Sequence, residues 1–281
     1  MWKQVRFNDD QIFGILSCFE DTNPTTLVVT LPGLGQAMSE KNYMFSNLRK
    51  CLGEYNVMHI QFDYYGHGDS YGELGDASIT TMTSDAKEVI NSLLKEYESV
   101  EELILIGNAL GAVIALNLTS FYENRFKVKP ILISPSVNIP PANRIFSSET
   151  LEALKHEGKL DSQQLIPGYD YYTLSDFDKK QYDFITKLGS HLLYLHGQFI
   201  SYNMIQEIDE VNILSQIINV KSKIEIIVGE KDKETLLILN NIRQISTFSL
   251  DNVKYYHQHP AAMDQLIGHL IQMIKRTIKN K

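Results

Sequence analysis

The stretch LILIGNALGAVIAL, Leu103 to Leu116, decides how this chain folds. An apolar run, Leu103 to Ile106, leads into Gly107-Asn108-Ala109-Leu110-Gly111 and then directly into helix-forming residues. Two glycines flanking a central residue suit a sharp strand-to-helix turn, because larger side chains would collide with the adjoining strand and helix. Such a turn raises its middle residue at the top of a sheet, with the N–H groups of the next helix beneath it. Here the middle residue is Ala109.

Outward from this turn, apolar runs of strand length alternate with segments of helical period. Strands are expected at Ile12 to Phe19, Leu27 to Leu31, Val57 to Phe62, Leu103 to Ile106, Ile131 to Ile133, Ile224 to Val228 and Val253 to Tyr256. From the third onward they are nearly continuous Val, Ile and Leu, the composition of strands covered on both faces. Met44, Phe45, Leu48 and Leu52 mark one amphipathic helix, Ala86, Val89, Ile90, Leu93 and Leu94 another, and Leu266, Leu270, Ile274 and Ile278 the last. The order predicts an α/β fold with a mostly parallel central sheet, helices on both faces, and an antiparallel hairpin at its start, since the first two runs have no helix between them. Between about Val137 and Gln206 the rhythm breaks, which predicts a helical lid, residues 137–206, over a core formed by 1–136 and 207–281. Its tyrosines Tyr169, Tyr171, Tyr172 and Tyr182 suit packing within that lid and hint at an apolar or acyl-chain substrate.

Composition narrows the function classes. A chain of 281 residues buries a large core without staples, and Cys18 and Cys51 form neither a disulfide framework nor a zinc motif. No cofactor or metal is expected. The net charge of −8 carries no basic stripe for nucleic acid, and the basic tail reads as a solvated helix end. No segment has the roughly 20 apolar residues that cross a bilayer, and the N-terminus has no signal-peptide core, so the expected location is cytoplasmic.

Two further segments give the turn its chemistry. The strand Leu27 to Leu31 ends in Pro32-Gly33-Leu34-Gly35-Gln36, a glycine turn suited to present the Leu34 N–H as one oxyanion donor, with the Leu110 N–H as the other. Then follows Phe62-Asp63-Tyr64-Tyr65-Gly66-His67-Gly68-Asp69-Ser70. On these residues the sequence resembles the α/β-hydrolase superfamily, in particular the capped serine-hydrolase branch with its serine-aminopeptidase-like and monoglyceride-lipase-like members. That branch carries D-x-x-G-H-G-x-S after its fourth strand and G-x-S-x-G at its nucleophile elbow. The resemblance puts the nucleophile position at Ala109, the acid at Asp232 in Val228-Gly229-Glu230-Lys231-Asp232, and the base at His259, with His257 as its rival two residues away. It implies acyl transfer on an ester, thioester or amide, from a small molecule or a carrier-bound acyl group, through an acyl-enzyme.

A methyl group cannot attack a carbonyl, so with Ala109 the covalent route is closed. Two readings fit. In the first, serine belongs at 109 and this chain is its nucleophile-less form, since every other part of the mechanism has a candidate. In the second, the protein is a pseudo-hydrolase that binds a ligand or serves as a scaffold, or its Asp-His pair acts as a general base.

Overall fold

The computed structural model describes residues 2–18, 23–166, 178–190 and 198–279. Ten strands occur among them: β1 Trp2–Phe7, β2 Ile12–Ser17, β3 Thr26–Leu31, β4 Met58–Phe62, β5 Glu102–Asn108, β6 Lys127–Ile133, β7 Lys159–Asp161, β8 Phe199–Ser201, β9 Ile224–Gly229 and β10 Ile245–Leu250. The α-helices are α1 Met44–Leu52, α2 Ile79–Glu96, α3 Leu110–Tyr122, α4 Ser148–Glu157, α5 Ser162–Leu165, α6 Lys179–Lys187, α7 Tyr202–Glu210, α8 Ile213–Asn219, α9 Lys233–Leu239 and α10 Pro260–Lys279.

Eight strands form one sheet in the order β1-β2-β4-β3-β5-β6-β9-β10. From β4 to β10 every pairing is parallel, while β2 runs antiparallel to both β1 and β4. The two-residue period sorts side chains between the faces. Leu27, Val29, Leu31, Leu103 and Leu105 join the core under α2, α3 and α8, whereas Val28, Ile104 and Ile106 join the core under α1 and α10. Each helix buries the apolar stripe expected of it, with Met82, Ala86 and Val89 on one face of the sheet and Leu266, Leu270 and Ile274 on the other. Ser78 starts α2 through a reciprocal cap: its hydroxyl accepts the Thr81 N–H at 3.1 Å while Thr81 Oγ1 accepts the Ser78 N–H at 2.8 Å.

Two expectations need correction. The opening hairpin pairs β1 with β2, not the first two apolar runs with each other; Trp2–Phe7 is a mostly exposed edge strand with little apolar signal. The last strand is Ile245–Leu250, not Val253 to Tyr256, which lies in a loop running into a short 3₁₀ turn at Tyr256–Gln258. Ile245–Leu250 is another half-exposed edge strand, and its polar alternation hides it from a search for apolar runs.

Between β6 and β9 no described residue enters the main sheet. The segment contributes α4 to α8 and a separate antiparallel pair, Lys159–Asp161 with Phe199–Ser201. The boundary expected after Gln206 falls inside α7.

Candidate active site

The nucleophile position is fixed by the sheet. Gly107 is the last residue but one of β5 and Gly111 lies in the first turn of α3, and a Cβ on Gly111 would stand 2.1 Å from the Leu31 carbonyl oxygen. This contact presses α3 against the end of β3, leaving Ala109 to make the reversal at φ 52°, ψ −112°. A non-glycine residue there is strained and persists only where its surroundings hold it. They do so here: the Ala109 N–H donates to the Ile133 carbonyl at 2.9 Å, and the methyl is buried at the N-terminus of α3, which has no side-chain cap.

The two candidate oxyanion donors converge on a single atom. Leu34 N–H and Leu110 N–H both donate to the carbonyl oxygen of Leu188, at 3.0 and 3.4 Å. Leu188 and Gly189 follow α6 in the segment between β6 and β9, and Gly189, at φ 96°, lies against Gly33 and the Ala109 methyl. A Cβ on Gly189 would be 2.9 Å from Gly33 Cα and 3.0 Å from Ala109 Cβ, so only glycine fits. Ser190 Oγ donates to the Leu34 carbonyl, Lys41 Nζ to the Ser190 carbonyl at 2.9 Å, and Ser136 Oγ to the Lys187 carbonyl.

Behind the candidate oxyanion turn lie two buried charged residues, Glu40 and Lys41, that sequence reading missed. The Glu40 carboxylate accepts the N–H groups of Gly33 at 2.8 Å and Lys41 at 3.1 Å. Burial pushes its carboxyl pKa upward, opposed by those two bonds, by Lys41 and by the Asn108 side chain. Burial likewise lowers the pKa of the Lys41 ammonium, and Glu40 opposes the shift. The available signal was the adjacent Glu40-Lys41 itself, set just after a glycine turn at the end of a buried strand.

The Asp63 to Ser70 segment is a turn that supports the site. The Asp63 carboxylate accepts the N–H groups of Met38 and Asp69 at 2.5 and 2.9 Å, and burial raises its pKa to about 6. His67 Nδ1 lies 3.2 Å from the Tyr65 carbonyl, and burial pushes its pKa down to about 4. A polar cleft of about 560 Å³ opens between this turn and Gly35, Gln36 and Glu40.

The acid and base candidates stand apart from each other. Asp232 caps α9 without a side-chain cap bond and lines a small cavity with Ser134, Ser136, Thr235 and Tyr255. The Tyr255 phenol pKa is raised by its burial and by the Asp232 carboxylate. His259 is exposed, and its Nδ1 accepts the Ala261 N–H at 3.1 Å. No hydrogen bond or ion pair among the described residues joins Asp232 to His259. His257 is half-buried and stacks on Tyr255, with ring centroids 5.6 Å apart. Of the tyrosines expected in a lid, Tyr169, Tyr171 and Tyr172 lie outside the described residues, and Tyr182 is exposed.

A mostly parallel sheet of this order, with a strained strand-to-helix turn facing two converging N–H donors, is the arrangement of the α/β hydrolases. A family model described as serine aminopeptidase, S33, matches residues 22–233, and the chain belongs to that family. Solved structures agree on the fold. Est1E from Butyrivibrio proteoclasticus with bound ferulic acid superposes with a TM-score of 0.68 at 14% identity, over 98% of this chain and 99% of that one. The α/β hydrolase domain-containing protein 10 from mouse gives 0.62 at 18% identity, over 99% of both chains. The Paleococcus ferrophilus monoacylglycerol lipase gives 0.61 at 17%, over 93% of this chain and 97% of that one. No curated protein matches the chain in sequence. Among the described residues no helix is long and apolar enough to cross a membrane.

Proposed function

We propose that this hydrolase is built for acyl transfer on an ester, thioester or amide and that Ala109 silences its covalent step. The observation that carries the reading is the elbow: Ala109 is held at φ 52°, ψ −112°, and the Leu34 and Leu110 N–H groups beside it meet on one oxygen. With serine at 109, His259 takes the hydroxyl proton while Oγ bonds to the substrate carbonyl carbon, and the resulting oxyanion is held by the two N–H groups. Collapse expels the leaving group, which takes the proton from the imidazolium. Water then attacks the acyl-enzyme by the same steps and releases the acid. Asp232 orients the imidazole in this scheme, and the loops bearing Asp232 and His259 close on each other when substrate binds. The substrate is a small-molecule or carrier-bound acyl compound admitted under the lid of residues 137–206, and the protein works in the cytoplasm. With alanine none of these steps begins, and the chain is inert toward covalent catalysis.

A second reading is favoured by the acid and base. His259 Nδ1, the atom that would donate to the acid, accepts a backbone N–H instead. A protein that binds its ligand without turnover has no need of that contact.

Ala109→Ser decides between them. The added hydroxyl is expected to confer labelling by a fluorophosphonate probe and hydrolysis of an activated acyl ester or thioester, at roughly 10⁴ times the rate of the alanine chain. A folded serine variant that stays unlabelled and turns over no ester, thioester or amide, even with the lid segment displaced as described next, leaves the binding reading standing.

A further inference from the structure

We infer that the oxyanion site is already occupied, by the Leu188–Gly189 peptide of the chain's own lid, and that a ligand carbonyl binds only by displacing it. The inference rests on the acyl-transfer reading for the identity of the incoming group, an apolar acyl carbonyl, and on geometry alone for the occupancy.

The geometry is that of a bound carbonyl compound. An oxyanion site is a pair of N–H groups aimed at one point, and that point coincides with Leu188 O, 3.0 Å from Leu34 N and 3.4 Å from Leu110 N. The next residue, Gly189, lies against the methyl at the nucleophile position, where the group beyond a substrate carbonyl would pass. The Leu188 side chain is fully buried in the same core cluster as Leu34 and Leu110, so the acyl side of the occupant is an apolar group of leucine size. An amide is therefore placed like a substrate, with no hydroxyl at 109 to attack it.

The occupant is also fastened. Ser136 Oγ holds the Lys187 carbonyl, Ser190 Oγ reaches the Leu34 carbonyl, and the buried Lys41 ammonium donates to the Ser190 carbonyl at 2.9 Å. These are bonds between the core and a four-residue stretch, three of them to backbone carbonyls of that stretch when the N–H pair on Leu188 is counted as one. A ligand that enters must supply its own carbonyl to Leu34 and Leu110, or two buried N–H groups lose their acceptor, a costly outcome in a dry site. The site thus selects against anything without a carbonyl-like oxygen.

Amide hydrogen exchange followed by NMR tests the occupancy in the protein as it is. Leu34 and Leu110 should be protected, and Gly189→Ala, which forces a Cβ against Gly33 and Ala109 at a left-handed φ, should speed both by at least about 10-fold while Ile106 and Ile131 stay unchanged. If Gly189→Ala does not fold, Ser190→Ala removes only one fastening bond and should give about 5-fold. Fast exchange of Leu34 and Leu110 in the unaltered chain, or no change in a folded variant, overturns the proposal. The same substitutions placed on Ala109→Ser should raise its fluorophosphonate labelling rate by the same factors, and labelling at equal rates with and without them also overturns it. Exchange gated as expected, together with no labelling in any serine variant, upholds the occupant and sinks the acyl-transfer reading instead.

Discussion

The two halves of the site are held in opposite ways. The nucleophile half, the turn after β3 and the elbow after β5, is buried, bonded through its backbone and strained: Ala109 and Glu40 sit at φ 52° and 59° with their neighbours bonded around them. The candidate acid and base half lies on surface loops, with Asp232 half-buried, His259 exposed and no hydrogen bond or ion pair among the described residues joining them. The difference follows from where each half is made. Residues at the ends of central parallel strands inherit the precision of the sheet, whereas loops after the outer strands β9 and β10 have fewer neighbours to fix them. Under the proposed acyl-transfer reading, the covalent geometry is built into the core and the proton-transfer geometry is left to form when a ligand is bound.

The largest effect that tests this contrast is expected at Gly111. Its Cβ would lie 2.1 Å from Leu31 O and 2.7 Å from Pro32 O, both backbone atoms that cannot swing aside. Gly111→Ala should cost more than about 4 kcal/mol or leave no folded protein, read by urea unfolding against the unaltered chain. A variant with unchanged stability would mean that α3 is free to lift from β3 and that the elbow is not set by the sheet.

A smaller effect distinguishes the buried half by its pH response. His59, on β4, has no hydrogen-bond partner for either nitrogen among the described residues, and burial, aided by the nearby Arg49, pushes its pKa down to about 3; His67 is pushed to about 4 by burial. Unfolding frees both rings to protonate near the ordinary value of 6.5, so their contribution is complete above that pH and is lost as pH falls toward 4 and 3. Asp63, raised to about 6, acts in the opposite sense: its contribution is complete below 3.8 and is lost as pH rises through about 6. Burial raises the Glu40 and Asp85 carboxyls in the same sense as Asp63, so the imidazole contribution is read by difference: between pH 6 and 4 the buried neutral His59 ring should cost stability on acidification by up to about 1.4 kcal/mol per pH unit. Urea unfolding at pH 7, 6 and 5 measures it, and His59→Leu should lose less stability, or gain more, on acidification than the unaltered chain. A pH dependence that is the same with and without His59 would show that the ring is not held neutral in the folded chain.

How much of this was legible in the sequence follows the same division. The elbow was readable because a glycine two residues either side of Ala109 has a local steric cause, and the central strands because burial on both faces leaves only Val, Ile and Leu. The edge strands Trp2–Phe7 and Ile245–Leu250 escaped because half-exposed strands carry no apolar run. Leu188-Gly189-Ser190 carries nothing local to say which carbonyl the core would meet. Contacts such as Lys41 with Ser190, 149 positions apart, depend on the whole path of the chain between them. Asp232 and His259 were placed by motif, and a motif specifies residue types in loops without fixing the distance between them.

The smallest effect is expected where the second half of the site is tested for stability. Asp232 makes no side-chain cap bond to α9, and the single described bond of the His259 ring accepts a backbone N–H at its own helix start. Neither side chain sits in the core, so Asp232→Asn and His259→Ala should each shift unfolding by no more than about 0.5 kcal/mol. Because they share no partner, the double variant should equal the sum of the single ones, with a coupling energy near zero. A coupling of about 1 kcal/mol or more would mean that the pair is joined in the free protein, and the contrast between a preformed half and an unformed one would fail. A coupling that is near zero in the free chain and appears only when Ala109→Ser carries a phosphonate adduct would locate the closing of the triad in the bound state.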